Sequence, residues 1–112
     1  MIPLSSKPLE MHDKASGMTY IMKQPTDEVL LDLSDIDKKY QKKTDPRSKL
    51  QQINDFIDMV IIGWSCETPL DADRQYNPKV KPSLMLRQND KFALYRHFFV
   101  AAGLMEDELK NS

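Results

Sequence analysis

The sequence contains few of the residues on which recognisable site chemistry depends. Its 112 residues include one cysteine, two histidines and three glycines. A single cysteine excludes an intramolecular disulfide, and without a Cys-x-x-Cys pair the chain lacks the usual redox or zinc motif. The chain also lacks a nucleotide-binding motif and carboxylates paired for acid–base work. We therefore expect a protein without cofactor, bound metal or catalytic activity.

Net charge and long apolar runs are scarce as well. Sixteen basic residues against seventeen acidic ones leave a formal charge of −1, so no overall field attracts nucleic acid or an anionic membrane. No apolar run approaches the roughly 18 residues that span a bilayer, and the first residues lack a secretion-signal pattern. We expect a cytoplasmic protein that binds neither nucleic acid nor membrane.

Length and composition favour one folded domain over residues 1–112. A chain of this size buries roughly two-thirds of its unfolded surface, which is enough for an unaided core. Hydrophobic residues make up 40% of the chain, more than disordered segments carry. The hydrophobic pattern divides the domain into four regions.

The first region, residues 1–25, is expected to be extended and to contain a β-hairpin. Met18, Tyr20 and Met22 alternate onto one face after the turn-forming sequence "DKASG". An isolated hairpin is marginally stable, so this face must be covered. Its methionines suit either core filling or an adaptable protein-binding surface. We therefore name Met18, Tyr20 and Met22 as candidate partner-binding residues.

The second region, residues 26–64, is predicted to hold two helices. Thr26 has the position of an N-cap for the first helix, and Asp45 with Pro46 has the cap and first-turn chemistry of the second. In the second helix, Ile53, Ile57, Val60 and Trp64 recur at helical spacing. This apolar stripe predicts the axis of the core, with the helix ending near Gly63.

The remaining regions are an irregular arm over residues 65–82 and a C-terminal helix and tail over 83–112. Three prolines and a polar centre exclude a regular helix from the arm, in which Arg74 and Tyr76 are candidate contact residues. The arm either packs as a connection or becomes ordered on a partner. In the last region, Gly103 and Leu104 resemble a left-handed helix stop.

These regions predict a mainly α fold. It would be a small helical domain of about three helices, with a short N-terminal hairpin and a long irregular loop before the last helix.

A basic cluster follows the first predicted helix. It consists of Lys38, Lys39, Lys42, Lys43, Arg47 and Lys49. Lys39 and Lys43 lie one turn apart and could contact an acidic partner, although lysines also favour a helix C-terminus for electrostatic reasons. We name both as candidate partner-binding residues.

The histidines and the cysteine are interpreted as structural. His97 has no metal-ligand residue three or four positions away, and His12 would need ligands from elsewhere in the chain. Cys66 follows a predicted helix C-terminus, the wrong pole for lowering a thiol pKa. An enzyme would require His12, His97 and Cys66, or several carboxylates, to converge in one cleft.

One stretch resembles a known family. Between Tyr20 and Ser65, a strand leads into a helix opened by "QPTDEV", and a second helix ends in "IIGWS" before a polar loop. This order resembles the small tail assembly chaperones of long-tailed bacteriophages. The chain departs from the family pattern in "SCETPLDADRQ", which lacks a glycine. The resemblance implies a non-enzymatic protein in the host cytoplasm that binds tape measure or tail tube protein.

The residue patterns and the resemblance both predict protein binding. Three versions stay open: an assembly chaperone, a virion structural subunit whose arm lies across a neighbour, and a small regulator or inhibitor acting by contact. Self-association of the chain is a further expectation.

Overall fold

A computed structural model describes residues 8–104, which form a three-stranded sheet and four helices. The elements are β1 (Leu9–Asp13), β2 (Met18–Met22), α1 (Asp27–Tyr40), α2 (Pro46–Val60), β3 (Ile61–Cys66), α3 (Pro82–Met85) and α4 (Gln88–Ala101). The sheet is antiparallel with the order β1-β2-β3. The fold is therefore α+β, and the prediction of a mainly α domain with about three helices and only a hairpin is wrong.

The third strand accounts for this correction. We predicted that the second helix extends to about Gly63, but α2 ends at Val60 and β3 begins at the next residue. Consecutive β-branched isoleucines favour a strand, and Gly63 disfavours a helix. In β3, Trp64 lies opposite Tyr20 of β2, with the two ring centroids 6.4 Å apart in an edge-to-face arrangement. β3 thus gives the hairpin the third strand that its stability requires.

The predicted N-terminal hairpin is confirmed. β1 and β2 pair from Leu9 opposite Met22 to Asp13 opposite Met18. The Asp13 carboxylate accepts hydrogen bonds from the Ala15 amide at 3.1 Å and the Ser16 hydroxyl at 2.7 Å. These bonds hold the turn in which Gly17 adopts a φ of 76°, a conformation open to glycine at little cost.

The predicted helix starts are also confirmed. The Thr26 hydroxyl accepts a hydrogen bond from the Val29 amide at 3.3 Å and so caps α1. The Asp45 carboxylate accepts one from the Ser48 amide at 3.0 Å, and Pro46 is the first residue of α2. Both caps satisfy amides that the first helical turn leaves without a partner.

The end of α4 follows the predicted left-handed stop. Gly103 has a φ of 75°, and its amide donates to the Val100 carbonyl at 3.0 Å while the Leu104 amide donates to Phe99 at 2.9 Å. This pair of bonds is a Schellman motif. The predicted region 83–112 is divided in the structure, because α3 is a separate short helix from Pro82 to Met85. The predicted tail from residue 105 lies outside the described residues, as do residues 1–7.

The arm between β3 and α3 is irregular, as predicted, but it packs on the sheet. It begins at Glu67, because Ser65 and Cys66 belong to β3. The Trp64 indole donates a hydrogen bond to the Arg74 carbonyl at 3.0 Å, and the Tyr76 ring lies 5.0 Å from the Trp64 ring, edge to face. Of the two alternatives for the arm, the structure therefore shows a packed connection.

The core lies between one face of the sheet and the helices. It is formed by the buried residues Met18, Tyr20, Met22, Leu33, Phe56, Ile57, Val60, Ile61, Trp64, Leu94 and Phe98. The predicted apolar stripe enters this core in two pieces, with Ile57 and Val60 on α2 and Trp64 on β3. Within residues 8–104, no helix combines the length and apolar character needed to cross a bilayer.

Candidate functional site

An open groove lies between α1, α2 and α4. Its volume is about 340 Å³. The apolar residues that line it are Leu30, Leu33, Ile36, Phe56, Tyr95, Phe99 and Leu104. We call this site the interhelical groove. It combines a mostly apolar lining with access from solvent, which is typical of a binding site.

Aromatic rings form the floor and one wall of the groove. Phe56 of α2 is 1% exposed, and its ring centroid lies 5.0 Å from that of Tyr95 and 5.8 Å from that of Phe99. Tyr95 and Phe99 are one helical turn apart on α4, with centroids 4.6 Å apart. These contacts fix the rings in place, so the groove is preformed.

The polar side of the groove is short and acidic. Ser34 and Asp37 of α1 and Gln52 of α2 lie along it, and the Gln52 amide donates to the Asp37 carboxylate at 3.1 Å. Burial raises the pKa of the Tyr95 phenol, and the nearby negative charge of Asp37 raises it further. The groove therefore presents apolar surface beside one carboxylate and a neutral phenol.

A second, shallower depression lies on the other side of α1. Its charged lining consists of Asp35, Lys39, Asp55, Asp58 and Lys81. Two of its carboxylates have structural partners. Asp55 accepts from the Tyr40 hydroxyl at 2.7 Å and pairs with Lys39 at 3.5 Å, while Asp58 accepts from the amide and hydroxyl of Ser83, both at 2.9 Å. The hydrogen bonds and the ion pair made by these residues connect α1 to α2 and α2 to α3.

Lys39 and Lys43, two of the predicted partner-binding residues, stand beside Tyr40. Their ammonium nitrogens lie 5.2 Å and 5.6 Å from the centre of its ring, within cation–π distance. The Asp55 carboxylate is the main cause of a raised pKa at Lys39. Both lysines are exposed, and contact with an acidic partner stays a prediction for them.

The three predicted hairpin residues lie in the core. Met18, Tyr20 and Met22 are at most 5% exposed. Core filling, one of the two roles that the sequence left open for the methionines, is therefore their role in this structure. Their side chains offer no surface to a partner in this conformation, so a binding role would require the sheet to open.

Arg74 and Tyr76 of the arm are placed differently from each other. Arg74 is exposed, and its carbonyl is the acceptor for the Trp64 indole. Tyr76 is half-buried, and its ring also covers Gly63, where an added Cβ would meet it at 3.8 Å. Tyr76 thus anchors the arm to β3, and partner binding by either residue stays a prediction.

The histidines and the cysteine do not meet in one cleft. The rings of His12 and His97 are engaged separately, His12 with the Thr19 hydroxyl at 2.9 Å and the Glu67 carboxylate at 3.4 Å, and His97 with the Glu10 carbonyl at 3.1 Å. Because a carbonyl only accepts, His97 donates its Nε2 proton to this edge strand.

The contacts of His12 with Thr19 and Glu67 have the residue types of a catalytic triad. A hydroxyl, an imidazole and a carboxylate follow one another in the order of a nucleophile, a base and an orienting acid. However, the side chains of His12 and Glu67 are 42% and 69% exposed, whereas such chemistry needs a site that excludes water. We interpret the chain Thr19–His12–Glu67 as a polar bridge across the outer face of the sheet.

Cys66 takes part in a separate small network. Its thiol donates to the Ser16 carbonyl at 3.5 Å and lies 3.5 Å from the Thr68 hydroxyl. Cys66 ends strand β3 and does not follow a helix C-terminus as predicted, and hydrogen bonding with Thr68 lowers the pKa of its thiol. Across residues 8–104, histidine, cysteine and acidic side chains form no group of three that could hold a metal ion.

The groove was not predicted, although its residues carried a signal. Leu30 and Leu33 share one apolar face of α1, and Tyr95 and Phe99 share one face of α4. Periodicity identified these faces as apolar, but it could not show that three helices leave a gap where they meet.

No protein-family model, curated protein or solved structure matches this chain.

Proposed function

We propose that this protein acts by binding another protein, and that the interhelical groove is the binding site. The observation that carries the proposal is the preformed aromatic lining of the groove, in which Tyr95 and Phe99 stay partly exposed above the buried Phe56. Covering apolar surface releases about 25 cal/mol for each Å² removed from water. A partner that inserts apolar side chains here gains that free energy without first reshaping the site.

Residues around the groove extend the apolar surface. Leu104 at its mouth is 61% exposed, and Phe92, one turn before Tyr95 on α4, is 45% exposed. Large apolar side chains grouped beside a concave site are characteristic of protein-binding surfaces. The proposal needs no catalytic group, since the histidines and Cys66 serve separate structural contacts.

The resemblance to phage tail assembly chaperones gives the proposal a specific form. In this version the groove shields an apolar segment of tape measure or tail tube protein until the segment is assembled. Such a protein would leave its client when the particle matures. The structural-subunit version relied on a free arm, and the packing of Tyr76 against Trp64 gives that version less support.

A groove variant tests the proposal. Ser34 is exposed on the rim, so Ser34→Arg places a bulky charge in the mouth while leaving the core intact. We expect the wild-type protein to capture a partner from the native host, and the purified partner to bind at least tenfold more weakly to Ser34→Arg. The control is Gln51→Arg, an exposed polar residue of α2 outside the groove lining, which should bind like wild type.

Two results would contradict the proposal. One is equal binding by Ser34→Arg and Gln51→Arg. The other is a partner whose NMR footprint on this chain spares Leu30, Tyr95 and Phe99. Presence of the chain in mature virions would contradict the chaperone version alone.

A further inference from the structure

A charged side chain of one helix lines the interhelical groove. Asp37 is the charged residue among those that line it. The first eleven residues of α1, from Asp27 to Asp37, contain five acidic residues and no basic one. Asp27 lies seven residues before Ser34 and Asp37 three after it, so helical spacing places both on the groove side of α1.

The basic residues of α1 belong to its last turn, where Lys38 and Lys39 complement the negative end of the helix. Lys39 is directed to Asp55 on the opposite side of α1. On the α1 side the groove is therefore bordered by two carboxylates, Asp27 and Asp37, whereas Asp35 lines the depression on the opposite side. A ligand with cations beside its apolar groups would match this border, whereas a phosphate or an acidic segment would be repelled by it.

The size of the groove restricts the apolar part of the ligand. A cavity of about 150 Å³ holds one benzene ring, so about 340 Å³ accepts two large apolar side chains. A trough between helices is also a frequent receptor for a further helix, whose anchors project from one face at positions i and i+3 or i+4.

We propose that the groove binds a basic amphipathic helix of another protein, which inserts two apolar anchors one turn apart and places a lysine or arginine against Asp37. This inference rests on the proposed protein-binding function and specifies the partner. Asp37 keeps carboxylate oxygen lone pairs for this contact beyond the one that accepts from Gln52. The half-buried Tyr95 hydroxyl stands near enough to Asp37 to feel its charge and adds a polar contact at the same rim.

Three synthetic helical peptides test the inference. The first carries two leucine anchors flanked by lysines, the second has the lysines replaced by glutamates, and the third keeps the lysines but has serines in place of the leucines. Binding is measured by fluorescence anisotropy on the full chain at low and high salt. We expect the lysine–leucine peptide to bind roughly fivefold more tightly than the glutamate peptide at low salt. High salt should reduce that preference.

A matched pair of variants assigns the preference to one carboxylate. Asp37→Asn should remove most of the preference for lysine. Asp35 lines the depression on the other side of α1, so Asp35→Asn should preserve this preference. Both variants lose one negative charge from the same helix. Equal effects of the two would overturn the assignment to the groove.

The outcomes separate this inference from the function on which it rests. Equal binding of the lysine and glutamate peptides, both tighter than the serine peptide, would overturn the basic partner while supporting an apolar binding site. Equal binding of the leucine and serine peptides, or none by the lysine–leucine peptide, would overturn both. Self-association that Ser34→Arg abolishes would identify a second copy of the chain as the occupant and overturn the inference.

Discussion

Towards the sheet, α2 packs Ile57 and Val60 against strand residues that are themselves buried, whereas towards α1 and α4 it places Phe56 beneath an open groove. The sheet side is filled because large side chains, among them Met22 and Trp64, meet there. On the groove side the smaller or polar Ser34 and Gln52 stand where another large side chain would close the gap. A helix can therefore be apolar on two sides and yet be covered by other side chains on only one of them.

The strongest way to sharpen this comparison is a matched pair of leucine truncations. Leu94→Ala removes a side chain of 0% exposure on the closed side, and we expect a loss of about 2–5 kcal/mol in the free energy of unfolding. Leu30→Ala removes a half-buried side chain at the groove, and we expect about 1 kcal/mol. Urea denaturation measures both. Equal losses would show that the groove side is as closed as the sheet side.

Alkaline titration compares the two sides through tyrosines. Burial, with smaller contributions from Asp90 and Asp13, raises the pKa of Tyr20 to about 12. An unfolded tyrosine ionises near 10, so above that pH the unfolded state loses protons that the folded state retains. We therefore expect stability to fall as the pH rises from about 10 towards 12.

The test of this pH dependence uses two conservative variants. Tyr20→Phe should flatten the alkaline loss of stability, measured by urea midpoints across that pH window. Tyr95→Phe should flatten it less, because Tyr95 is only half-buried at the groove. A larger effect at Tyr95 would reverse the assignment of closed and open sides.

The arm offers a third comparison, because it covers β3 while nothing in residues 8–104 covers the groove. Tyr76→Ala should cost about 1–2 kcal/mol, since it removes a half-buried ring from Trp64. Loss of this anchor should also increase the rate of trypsin cleavage after Arg74 several-fold. The wild-type arm should resist the protease, and rapid cleavage of it would indicate that the arm is not held by this contact.

The smallest effect is expected at the groove mouth. Ser34→Arg should change the free energy of unfolding by no more than about 0.5 kcal/mol, because the side chain is exposed and the substitution keeps a residue that helices accept. Thermal melting of this variant beside Gln51→Arg measures the difference. A large loss would mean that the mouth contributes to folding, and binding defects of Ser34→Arg would then need correction for instability.

The features that sequence reasoning predicted correctly are local ones. The caps at Thr26 and Asp45, the turn before Gly17 and the stop at Gly103 each depend on residues a few positions apart. Short-range hydrogen bonds of this kind are encoded by residue type and spacing, so they could be read without the fold.

The features that it missed depend on distant parts of the chain. Trp64 has helical spacing from Val60, and its pairing with Tyr20, far back in the sequence, places it in the strand Ile61–Cys66 instead. The groove likewise depends on how closely α1, α2 and α4 approach one another. Periodicity measures the apolar character of a face, but it carries no information about the volume left between faces.

The direct junction of α2 and β3, with no residue between Val60 and Ile61, has a practical consequence. Because no loop separates them, we expect a tilt of the helix that carries the groove floor to shift the strand that carries Trp64. The chain contains one tryptophan, and its indole touches both the sheet and the arm. Its fluorescence emission thus provides a built-in, label-free signal for any ligand that moves α2.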